Sequence, residues 1–137
     1  MDTLDASLNR LREVAIVYVI TLVVYLFAGQ RMGVLNWKYA AVVRTVLWFS
    51  LCVDLFWTAV GYKMRYVPAV DKLRLQAEDP AALRDWYSSN LKGLLTSDFV
   101  GAHAFFLRLM GASLAQVLPI YLVASLLLLL FFPRRPS

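Results

Sequence analysis

From Leu109 to Phe132 the sequence runs for 24 residues without a charged side chain. A soluble helix of that length needs a polar face, and this segment has none. A helix rising about 1.5 Å per residue crosses about 30 Å of hydrocarbon in about 20 apolar residues. Two shorter runs repeat the pattern. Val14 to Gly29 is 16 residues without a charge, and Thr45 to Tyr62 is 18 residues in which Asp54 is the only one. The chain is 61% apolar and 17% charged, whereas soluble domains are roughly 45–50% apolar and about 25% charged. With 137 residues, one domain is expected.

These runs predict an all-α integral membrane protein of three transmembrane helices, with spans near 14–29, 45–62 and 105–132. Arg10 and Arg12 before the first run and Ala28 near its end give it some features of a signal sequence; it is taken as a retained span. Asp5 or Ser7 is expected to cap its helix and Gly29 to stop it. The stretch from Phe99 to Phe132 is expected to form one long helix, bent at Pro119. Basic residues flank the spans and leave the orientation open.

The connector 63–98 is the main hydrophilic region. Asp79-Pro80 supplies an N-cap followed by proline at the first helical position. After it, Leu83, Trp86, Tyr87, Leu91 and Leu94 share one helical face, with Arg84, Asp85 and Lys92 elsewhere. An amphipathic interfacial helix is therefore expected between the second and third spans, with Trp86 and Tyr87 as its anchors. A helix docked on a partner's soluble domain would use the same face.

Few chemistries fit this inventory. One His and one Cys cannot build the usual four-ligand zinc site, so no metal is expected. There is no glycine-rich phosphate loop, nucleophile elbow or paired carboxylate on one helix face. The basic residues are scattered beside the spans, which argues against nucleic acid and for contact with lipid headgroups. His103 is the one possible haem ligand, but a lone His at a helix entrance is more often a polar interfacial residue; no cofactor is expected.

The informative residue is Asp54. Ionisable groups inside a membrane are costly and face protein or water. Ser50, Asp54, Thr58, Gly61 and Arg65 follow at helical spacing, a small and polar stripe down the second span. Thr21 and Tyr25 on the first span lie at a matching depth, and Arg108 stands at the entrance of the third. Gly111 and Ala115 form a small-xxx-small pair suited to close helix packing. The leading expectation is a small non-enzymatic multi-pass subunit, part of a larger membrane complex or of a homo-oligomer, with lipids and membrane subunits as partners. The alternative is a small transporter or channel that couples protons or cations through Asp54. A third is a lipid-, quinone- or haem-binding membrane enzyme subunit.

Overall fold

The computed structural model describes residues 3–135, and among these every regular element is helical. Helix α1 spans Leu4–Met32 and α2 spans Ala40–Gly61. A π-helical turn, Tyr62–Tyr66, carries α2 without a break into α3, Val67–Leu75. Helix α4 spans Pro80–Leu109 and α5 spans Leu114–Leu130. Two helices, α1 and the 36-residue run Ala40–Leu75, are long and apolar enough to cross a membrane, and α5 is apolar but shorter.

Local chemistry sets these limits. Thr3, rather than Asp5 or Ser7, caps α1 by accepting the Ala6 N–H at 3.1 Å. Helix α1 runs past Gly29 and ends at Gly33, whose φ of 72° favours glycine. Asp79 caps α4, its carboxylate accepting the Ala81 N–H at 3.0 Å with Pro80 at the first position.

The expected third span, 105–132, is not one helix. Helix α4 stops at Leu109, and Gly111 adopts φ 103°, a left-handed conformation that glycine alone reaches without strain. Ser113 and Gln116 then form a reciprocal capping box: the Gln116 N–H reaches the Ser113 hydroxyl at 3.2 Å, and the Ser113 N–H reaches Gln116 Oε1 at 2.9 Å. The chain reverses here, and α5 returns antiparallel to α4. Gly111 is thus a turn residue and Ala115 an exposed first-turn residue of α5, so neither packs helices as a small-xxx-small pair. Helix α5 continues through Pro119.

The expected surface helix within 63–98 is also corrected. Residues 63–75 prolong α2, and residues 80–98 are the first part of α4, the central helix of the fold. Trp86 is 1% exposed, a core residue rather than an interfacial anchor. Tyr87 is half-buried beneath the Arg10 guanidinium, 5.8 Å from its ring centre. Helices α1, α5 and α2–α3 surround α4 and pack on its different faces. The backbone reverses after α1, after α3 and after α4, so the described ends meet: Arg135 pairs with Asp5, and Arg12 Nε donates to the Pro133 carbonyl at 3.5 Å.

Close approach on two of those faces depends on glycine. The Phe131 ring lies where a side chain at Gly93 would begin, and Leu22 fills the same place at Gly101. The Ser97 hydroxyl beside them donates to the Ala124 carbonyl at 2.8 Å. Helix α2, by contrast, packs on α4 and on no other helix but its own continuation. Leu51 is its one buried residue, while Phe49 is 72% and Phe56 63% exposed. The total accessible surface is 8473 Å², against roughly 7,200 Å² for a compact monomer of this mass.

Gly93→Val should displace the Phe131 ring. Overpacking of this kind costs about 1–3 kcal/mol, so the variant should melt several degrees lower. An unchanged melting temperature would mean that Phe131 is not seated on α4.

Candidate functional site

Helix α2 meets α4 along a seam whose polar centre is a three-residue cluster. Ser50 and Asp54 lie one turn apart on α2, and His103 faces them from α4. Ser50 Oγ is 2.9 Å from His103 Nε2, and Asp54 Oδ2 is 3.5 Å from the same nitrogen. His103 Nδ1 lies 2.6 Å from the Phe99 carbonyl, one turn back on α4. The imidazole side chain is 13% exposed and the Asp54 side chain 37%.

The protonation pattern follows from the partners. A carbonyl only accepts, so Nδ1 carries a proton and donates it to Phe99. In neutral His103 the other nitrogen, Nε2, is then an acceptor, and the Ser50 hydroxyl donates to it at 2.9 Å. In a doubly protonated ring Nε2 donates to Ser50 Oγ instead, and Asp54 Oδ2 at 3.5 Å is the nearby counter-charge.

The other expected members of the site are scattered. Thr58 faces the seam, but its hydroxyl donates to the Asp54 backbone carbonyl at 2.6 Å, not to the carboxylate. Thr21 donates to Val17 O at 2.8 Å on the exposed side of α1. Tyr25 stacks on Phe105 at 5.5 Å. Helix α4 stands between α1 and α2, which do not touch, so neither Thr21 nor Tyr25 can reach Asp54. Arg108 lies against Gly29 and donates to the Ala112 carbonyl at 3.1 Å, closing the end of α4. Its place beside α1 excludes the Arg108–Asp54 pair.

His103 is the partner that the sequence did not assign. Its histidine chemistry was visible, but its opposition to Ser50 and Asp54 depends on the antiparallel register of α2 and α4. Asp98 is a second carboxylate in the middle of α4. It turns toward Tyr18 and Tyr25 of α1, away from the Asp54 cluster. No group of three or more His, Cys, Asp or Glu side chains suited to a metal occurs among the described residues.

Below the cluster the seam opens into a groove of about 280 Å³. Trp57, Leu95 and Phe99 form its apolar walls, and Asp54 and Thr58 lie at its inner end. Tyr62, Tyr66 and Phe131 close its back. The two tyrosine rings stack at 5.4 Å, and Phe131 sets its edge against Tyr66 at 5.0 Å.

Nitrogen NMR of His103 should report Nδ1 protonated at every pH where the protein is folded. A neutral ring protonated only on Nε2 would refute the assignment. Family models, characterised proteins and solved structures provide no match to this chain.

Proposed function

We propose that this chain is a small, non-enzymatic, multi-pass membrane protein that works as a subunit, its second helix completed by a partner helix or a second copy. The observation that carries this reading is the half-exposed Asp54 on a helix held from one side only. The apolar surface of α2 needs no protein cover in lipid, because acyl chains are as apolar as its side chains. A carboxyl group does need cover, since an unsatisfied polar group in hydrocarbon costs several kcal/mol.

The distribution of apolar surface supports insertion. Ile16, Val17, Ile20, Val24 and Phe27 are exposed on α1, Val42, Val46, Phe49 and Phe56 on α2, and Leu118, Leu122 and Leu126 on α5. Helix α5, at about 25 Å, is the shortest crossing. The other helices overrun it at the end where the chain termini meet. Ten of the fourteen Lys and Arg residues lie toward that end, which the positive-inside rule assigns to the cytoplasm. Four crossings, rather than three, fit this arrangement.

Native mass spectrometry of gently solubilised protein should find a defined oligomer or a fixed heteromeric partner. Asp54→Asn keeps the shape and hydrogen-bonding capacity of the side chain without its charge and should preserve that assembly. Asp54→Leu removes the polar group that the partner is proposed to cover and should weaken the assembly by about 1–3 kcal/mol, the cost of leaving its hydrogen-bonding counterpart on the partner unsatisfied. A monomer in every mild detergent and in lipid nanodiscs would rule out the subunit reading.

The carboxyl group of Asp54 beside His103 at 3.5 Å supports a second reading, a carrier coupled to protons or cations. It predicts proton or cation flux in liposomes that Asp54→Asn abolishes without loss of assembly. Asp98 is no relay partner, because it faces the opposite side of α4.

A further inference from the structure

The lower end of the α2–α4 groove carries an arrangement that the subunit reading does not need, and we infer that it seats the phosphate of an anionic phospholipid, with one acyl chain laid inward along the groove. The first observation is charge. Arg65 and Lys92 stand at the mouth, where the groove joins a second cleft that also includes Lys72 and Asp85. Lys72 and Asp85 satisfy one another at 3.8 Å. Neither Arg65 nor Lys92 has an acidic partner within 4.0 Å among the described residues. Ser89 lines both clefts with them, and its hydroxyl can donate to the same anion.

The second observation is depth. Helix α5 ends at Leu130, and Phe131 then packs on Gly93, Tyr62 and Tyr66. Arg65 and Lys92 adjoin these same residues, so on the membrane reading proposed above, on which this inference rests, they lie where the shortest apolar helix leaves the hydrocarbon. Phosphates occupy that level in a bilayer. A soluble anion would be drawn to the same two cations, but the groove behind them is walled mainly by apolar side chains, Trp57, Leu95 and Phe99, with Asp54 and Thr58 at its inner end. It runs from Arg65 past Tyr62 to Trp57 and Phe99, a rise of about 12 Å along α2, which suits an alkyl chain.

The third observation is the wall itself. The π-helical turn Tyr62–Tyr66 forms one side of the groove, and single π-helical turns inside α-helices occur frequently at functional sites. Here the turn stacks the two tyrosines against Phe131 and leaves Arg65 at the mouth. Gly61, just before the turn, has no atom within 4 Å of where a side chain would start, so the groove stays open beside it.

The test uses the full chain in nanodiscs of phosphatidylcholine with a minority of phosphatidylglycerol, released into native mass spectrometry. One phosphatidylglycerol should remain on each chain. Arg65→Gln with Lys92→Gln should lower its retention relative to phosphatidylcholine about thirtyfold, from about 1 kcal/mol per cation at the surface. Gly61→Leu keeps both cations and fills the groove without a backbone clash; it should expel the lipid from a protein of unchanged melting temperature. Wild-type protein without retained lipid, or variants that keep it as wild type does, would overturn the site. Displacement by inorganic phosphate alone would overturn the lipid as its source. The spectrum counts chains and lipids separately, so loss of the lipid and loss of the oligomer are distinguishable.

Discussion

Every other helix leans on α4, and the three seams it makes are not equivalent. Toward α1 and α5 the backbones come close, because Gly101 admits Leu22 and Gly93 admits Phe131. Ser97 adds a buried hydroxyl contact to the Ala124 carbonyl at 2.8 Å. Toward α2 the packing is looser, and the seam is pinned by polar contacts spaced along it. His103 meets Ser50 at 2.9 Å, the Asn90 amide reaches the Tyr66 hydroxyl at 3.5 Å, and Asp85 meets Lys72 at 3.8 Å. The groove exists because the third seam is held at points rather than along its length.

That difference explains what could be read from the sequence. The apolar runs of α1 and α2 stand alone and marked their helices directly. The face shared by Ser50 and Asp54 followed from helical spacing, which needs no tertiary information. Helix α4 was obscured because its buried stripe is not uniformly apolar. Leu83, Trp86, Asn90, Leu94, Ser97, Gly101 and Ala104 recur at helical spacing on one face, but that face includes polar and glycine residues. Arg84, Asp85, Lys92 and Asp98 lie between them, so the segment resembled a hydrophilic connector. The break at Gly111 was written in the sequence as Ser113-Leu114-Ala115-Gln116, a capping box inside an unbroken apolar run. Hydropathy favoured a single span there, and cap chemistry decided otherwise.

His103 could not be found in the same way. The distance between residues 54 and 103 along the chain carries no signal, and their meeting is a property of register. The antiparallel return of α4 beside α2 sets that register, through contacts from Lys72–Asp85 at one end to Ser50–His103 at the other. A one-turn slip would bring Phe99 or Leu107 opposite Asp54 instead.

On the membrane reading, the placement of Asp54 then has a physical reason. Helices already in lipid gain little from burying apolar surface against one another, so close packing and hydrogen bonds must specify their pairing. Helix α2 has no close glycine seam with its neighbours, and an all-apolar α2 could slide or rotate along α4 at small cost. The Asp54–His103 pair removes that freedom, because only one register gives the carboxyl group a partner. Commitment of Nδ1 to Phe99 O at 2.6 Å makes the pair directional. The cluster that orients α2 is therefore also the one on which the second reading rests, and both proposed roles arise from the same three side chains.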